Sequence, residues 1–197
     1  MKVAKNTEIE IRGKLGKKVF RKTFSQLKKS GRLINHYKRL SVDLSPGFDS
    51  KSRSWKSDDQ IDLRVKKSGN SEKISLKIGK IHAKKRQEIE IRLKKGEFLN
   101  SVSLLENLGF NKGMIYFWES WEFEYKGCEV KLSKYSDNYF TWEIETINHK
   151  LDLYDLAKSL NLVPFTKQGY NRAIDWGNKN IHNIYSYNLV EKLIKKF

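Results

Sequence analysis

The string Glu-Ile-Glu-Ile-Arg occurs twice, at Glu8 to Arg12 and at Glu88 to Arg92. In an extended strand residues two apart share a face, so Glu8, Glu10 and Arg12 project one way while Ile9 and Ile11 project the other. Like charges stacked on one face repel. The repulsion becomes useful where a divalent cation sits between the carboxylates, because hard cations such as Mg²⁺ and Mn²⁺ take oxygen ligands. The same parity groups Asp62, Arg64 and Lys66; then Lys73, Ser75 and Lys77; then Arg86, Glu88, Glu90 and Arg92; then Thr141, Glu143 and Glu145. Alternation alone leaves two arrangements open. The charged faces look into bulk water, as on a β-sandwich, or they line the bore of a barrel whose apolar faces pack outward against helices.

Strands must carry these residues. Apolar and polar residues alternate over Thr7 to Arg12, Asn35 to Asp43, Gln60 to Lys67, Lys73 to Ile78, Gln87 to Arg92, Ile115 to Tyr125, Glu129 to Tyr135 and Tyr139 to Ile147. Ser45-Pro46-Gly47, Ser68-Gly69-Asn70, Lys126-Gly127 and Ser136-Asp137-Asn138 supply turns between them. Phe98, Val102, Leu105 and Leu108 fall at helical spacing ahead of Gly109, and Asp152 can cap a helix carrying Leu153, Leu156, Ala157 and Leu160, ended by Asn161 and Pro164. A third helix is expected from Ser186 onward, and Ser45 to Asp59 reads as an open loop.

The bulk numbers narrow the partners. A chain of 197 residues suits one compact domain, and 38% hydrophobic with 12% aromatic residues is enough for a packed core. Forty Lys and Arg against 23 Asp and Glu give a net charge of +17, which favours anionic partners: nucleic acid, polyphosphate, nucleotide or acidic membrane. Any single lysine run, such as Lys28-Lys29, is equally a solvated surface. Cys128 is the only cysteine, which excludes an intramolecular disulfide and a Cys-based zinc site, and a reducing cytoplasmic setting is expected. No apolar stretch reaches the ~20 residues of a membrane span, and Met1 to Glu10 holds no signal-like core, so a soluble protein with no membrane partner is expected. His36, His82, His149 and His182 lack metal-binding spacing, no P-loop is present, and a glycosidase pair is at odds with the surrounding cations.

The order of the charged strands resembles the CYTH, or triphosphate tunnel metalloenzyme, family across nearly the whole chain. Glu8-Ile9-Glu10-Ile11-Arg12 is similar to the family's opening Glu-x-Glu-x-Lys, with Arg12 in place of lysine. Leu63-Arg64-Val65-Lys66, Ser75-Leu76-Lys77, Trp142-Glu143-Ile144-Glu145 and Ser186-Tyr187 are similar to later family segments in the same order. The resemblance implies an α+β fold, an eight-stranded closed antiparallel β-barrel with flanking helices, as a single domain over 1–197. It implies a tunnel in which Arg12, Arg39, Arg64, Lys66, Lys77, Arg86, Arg92 and Lys131 hold phosphate. Glu8, Glu10, Glu143 and Glu145 would hold Mg²⁺ or Mn²⁺, with Glu8, Glu10 and Glu145 catalytic, and Glu88 and Glu90 would be bore carboxylates.

Two departures bear on activity. The sixth strand reads Tyr116-Phe117-Trp118-Glu119-Ser120-Trp121 where the family carries Lys-x-Arg, and the seventh reads Lys131-Leu132-Ser133-Lys134 where it carries an aspartate. The leading expectation is a metal-dependent hydrolase of inorganic triphosphate, thiamine triphosphate or a nucleotide. The alternatives are a class IV-type adenylyl cyclase, or a catalytically weakened module binding triphosphate, polyphosphate or an RNA 5′-triphosphate end. A homodimer is compatible with all three. A general nucleic-acid binder using external lysines would show a steep salt dependence instead. Trp118, Trp121 and Trp142 could stack on a nucleobase, but packing the barrel wall is the commoner role.

Overall fold

The computed structural model describes residues 9–55, 61–79, 87–146 and 150–197. Eight long strands form where alternation is sustained: β1 (Ile9–Leu15), β2 (Arg32–Leu44), β5 (Ile61–Ser68), β6 (Ser71–Ile78), β7 (Gln87–Arg92), β8 (Gly113–Tyr125), β9 (Cys128–Lys134) and β10 (Phe140–Thr146). Short strands β3 (Phe48–Asp49) and β4 (Ser54–Trp55) pair inside the segment expected to be an open loop, and β11 (Asn183–Ile184) pairs with β8. Among the described residues five helices complete an antiparallel α+β fold: α1 (Lys17–Ser30), α2 (Phe98–Asn107), α3 (Leu153–Ser159), α4 (Lys167–Asn180) and α5 (Tyr187–Ile194). Asp152 caps α3 as expected, its side chain accepting from the backbone N–H groups of Tyr154 (2.8 Å) and Asp155 (3.1 Å). Sequence reasoning did not anticipate α1 and α4. No helix among the described residues is long and apolar enough to cross a membrane.

The chain packs as two compact units, residues 1–37 with 119–172 and residues 38–118 with 173–197. In the first unit the hydrogen-bonded strand order is β1-β10-β9-β8-β2. Its apolar faces and the buried sides of α1 and α3 meet around Leu27, Phe123, Leu132, Trp142, Ile144 and Leu160, all fully buried. Each such side chain contributes about 1.5–3 kcal/mol by leaving water. In the second unit the order is β8-β2-β5-β6-β7, with Leu40, Val42, Val65, Phe98, Val102 and Val190 in the core beneath α2 and α5.

Close approach makes Gly13 indispensable to the first unit. A Cβ on Gly13 would lie 2.4 Å from the Val163 carbonyl oxygen and 2.6 Å from Trp142 Nε1. Gly13→Ala is expected to lower stability by about 1–3 kcal/mol, the usual cost of overpacking, read from urea unfolding midpoints. An unchanged midpoint would mean that this contact is loose in solution.

Candidate functional site

The register of the first unit lines up acidic and basic residues on one face of four strands. Pairing of β1 with β10 sets Glu10 opposite Glu145 and Arg12 opposite Glu143. β9 then sets Lys131 opposite Glu143 and Glu129 opposite Glu145, and β8 sets Glu122 opposite Lys131. The intervening Val130, Ile144 and Phe123 are fully buried, so a one-residue slip would drive the glutamates into the core and these apolar groups out of it. Burial of one face thus fixes the chemistry of the other.

Glu10, Glu143 and Glu145 can each present one carboxylate oxygen so that all three lie within 4.8 Å of one another. Burial first, then the nearby Glu143 and Glu129, pushes the Glu145 carboxyl up to about 7, against the pull of Lys131. Burial also opposes charge on Glu143, but Arg12 and Lys131 outweigh it and hold that group below its ordinary value. Three hard oxygen donors converging on one point, one of them short of positive charge, fit a Mg²⁺ or Mn²⁺ ion.

Two cations flank the cluster. Arg12 pairs closely with Glu10, lies 3.8 Å from Glu143 and donates to the Tyr170 hydroxyl at 3.2 Å. Its guanidinium also sits 5.4 Å from the Tyr170 ring centroid. The Lys131 ammonium lies 3.4 Å from Glu129, 3.6 Å from Glu122, 3.9 Å from Glu143 and 4.0 Å from Glu145. Burial works against its charge, yet these four carboxylates raise its pKa above the ordinary lysine value. Glu122 is fixed in turn by hydrogen bonds from the Tyr37 hydroxyl (2.5 Å) and Asn35 Nδ2 (3.1 Å). A cavity of about 360 Å³ opens beside Glu145, lined also by Glu124, Glu129, Arg32, Ile34 and Cys128.

The second unit carries a separate charged face. Its register sets Asp43 opposite Arg64, Arg64 opposite Ser75 and Ser75 opposite Glu90, with Ser41, Lys66, Lys73 and Arg92 in the adjacent row. Lys73 lies 2.6 Å from Glu90, and Lys66 lies 4.0 Å from it. Lys77 is opposite Asp62 in the ladder. Arg64 grips Asp62 through two parallel 2.7 Å hydrogen bonds and lies 3.2 Å from Asp43. Asp43 and Asp62 are both buried. Burial raises the Asp43 carboxyl above its ordinary value despite Arg64. Arg39 donates to Ser68 Oγ at 2.7 Å and stacks 5.4 Å from the Trp118 ring.

Of the residues expected to hold metal, Glu10, Glu143 and Glu145 come together, whereas Glu8 lies outside the described residues. Arg86 and the side chain of Glu88 lie outside them too. Arg12 and Lys131 stand at the carboxylate cluster of the first unit, and Arg39, Arg64, Lys66, Lys77 and Arg92 belong to the second. Sequence reasoning missed Glu122, Glu129 and Tyr170 around the first cluster and Asp43 beside Arg64. Glu129 sits two positions from Lys131 on β9, a signal that parity already carried, whereas only the register makes Glu122 of β8 its neighbour. Trp142 is fully buried and Trp121 packs against Phe20 and Phe24, so both serve the core.

No protein-family model and no curated protein matches the chain. Solved structures do. A conserved hypothetical protein of Pyrococcus furiosus is similar with a TM-score of 0.57 at 17% identity, over 83% of this chain and 94% of that one. A Pyrococcus horikoshii protein gives 0.57 at 18% identity over 83% and 93% of the two chains. A "putative adenylate cyclase" of Bacillus halodurans gives 0.54 at 18% identity over 81% and 92%. The chain therefore has the fold of these proteins, the CYTH-like fold that the order of its charged strands led us to expect.

Proposed function

We propose that this chain is a divalent-metal-dependent hydrolase of a triphosphate-bearing substrate, acting as one domain over 1–197 in a reducing cytoplasm, with its eight long strands closed into a barrel. The convergence of Glu10, Glu143 and Glu145 beside Arg12 carries the reading. These carboxylates would hold Mg²⁺ or Mn²⁺, which when bound polarises a phosphoryl group and lowers the pKa of a bound water. Arg12, presented by Glu10, Glu143 and Tyr170, offers a planar donor set for phosphate oxygens. On the separate charged face of the second unit, Lys66, Lys77 and Arg92 would bind phosphate in their own right, on strands whose alternate residues are apolar.

Lys77→Ala is expected to weaken binding of inorganic triphosphate roughly 10- to 100-fold, the worth of one charge-assisted hydrogen bond. Retained affinity in a calorimetric titration would place the lysine outside the site. The test of the function is phosphate release from inorganic triphosphate and from ATP with Mg²⁺ or Mn²⁺, with product analysis for cyclic AMP. Release that needs the metal supports hydrolysis. Cyclic AMP would mean that a ribose hydroxyl replaces water as nucleophile, a reading in keeping with what the Bacillus halodurans protein is called. Tight metal-dependent binding without turnover would make the chain a binding module, a second reading favoured by the engagement of Lys131 with four of the carboxylates.

A further inference from the structure

The ammonium of Lys131 has carboxylate oxygens of four glutamates within 3.4 to 4.0 Å, contributed by three different strands. It sits where a cation bridging Glu122, Glu129, Glu143 and Glu145 would sit. Glu122 is held on it from behind, one oxygen accepting from Tyr37 and the other from Asn35, so this carboxylate is oriented before any ligand arrives. Charge points the same way. With all five ionised, as metal binding requires of its ligands, Glu10, Glu122, Glu129, Glu143 and Glu145 set five negative charges against the two positive charges of Arg12 and Lys131, leaving three. One divalent ion on Glu10, Glu143 and Glu145 brings that balance to minus one. A second would make it positive, beside the Lys131 ammonium.

We propose that Lys131 is the fixed second cation of this cluster, so that the site takes a single divalent ion, and that removing its charge opens a second ion site among Glu122, Glu129, Glu143 and Glu145. This rests on the metal reading of Glu10, Glu143 and Glu145 above. It makes Lys131 a residue that sets ion number, in place of the phosphate ligand expected from sequence.

Mn²⁺ titration of the full chain, without substrate and followed by electron paramagnetic resonance, tests it. The net charge of +17 keeps adventitious cation binding weak. The wild type is expected to bind one ion, Lys131→Arg one, and Lys131→Met two, with folding checked by circular dichroism. Lys131→Gln serves where the methionine variant does not fold. Two comparable ions on the wild type overturn the inference while leaving the metal reading in place, as does a folded, neutral variant that still binds one. No ion on the wild type removes the metal reading itself, and the inference with it.

Discussion

Glu145→Gln is expected to cut metal-dependent phosphate release by on the order of 10² to 10³-fold, as removal of one group stabilising transition-state charge commonly does. Glutamine keeps the shape of the side chain and one oxygen, but loses the charge that would make Glu145 a strong ligand for a hard cation. Because burial first, and then Glu143 and Glu129, disfavour charge on Glu145 despite Lys131, its neutralisation removes that penalty in the metal-free protein. The variant should therefore melt at or above the wild-type temperature without metal, and gain less on adding Mn²⁺. Loss of turnover with this reversed stability pattern separates a ligand from a residue needed only for folding. Undiminished turnover would remove Glu145 from the site.

Arg64→Met should cost about 3–5 kcal/mol, because it strands Asp43 and Asp62 in the second unit without their guanidinium partner. The pH dependence gives the sign. Without Arg64 the folded-state pKa of Asp43, which burial already holds above its ordinary value, rises further. Such a group favours folding below the unfolded pKa and loses that contribution as pH rises through the raised folded value. The deficit of the variant should thus be largest near neutral pH and shrink as pH falls toward the carboxylate range, in urea unfolding followed at several pH values. A variant as stable as the wild type at neutral pH would mean that Arg64 is held loosely and is free for phosphate alone.

The strands were legible because alternation is a local signal, and parity alone brought Glu10 and Arg12, or Glu143 and Glu145, to one face. Which strand lies beside which is not local. That Lys131 faces Glu143 on one side and Glu122 on the other follows from pairings across turns and helices, so its carboxylate surroundings could not be read from its own strand. α1 had a readable stripe in Phe20, Phe24 and Leu27, obscured by Lys17, Lys18, Arg21, Lys22, Lys28 and Lys29 around it. α4 had almost none. Its buried residues are Gly177 and Asn178, and nothing in their types announces a core-facing side. Asp43 escaped notice because its partner Arg64 is 21 positions away on another strand.

β2, β8 and α4 have a consequence for how such a chain can be taken apart. The boundaries between the two units fall after Tyr37, Trp118 and Arg172, inside β2, β8 and α4 respectively, and none falls in a linker. Any cut that would free one unit also severs a ladder or a helix and leaves backbone groups without partners. Neither half is a cassette that recombination could pass to another gene, so the carboxylate cluster and the cationic face are inherited together or not at all.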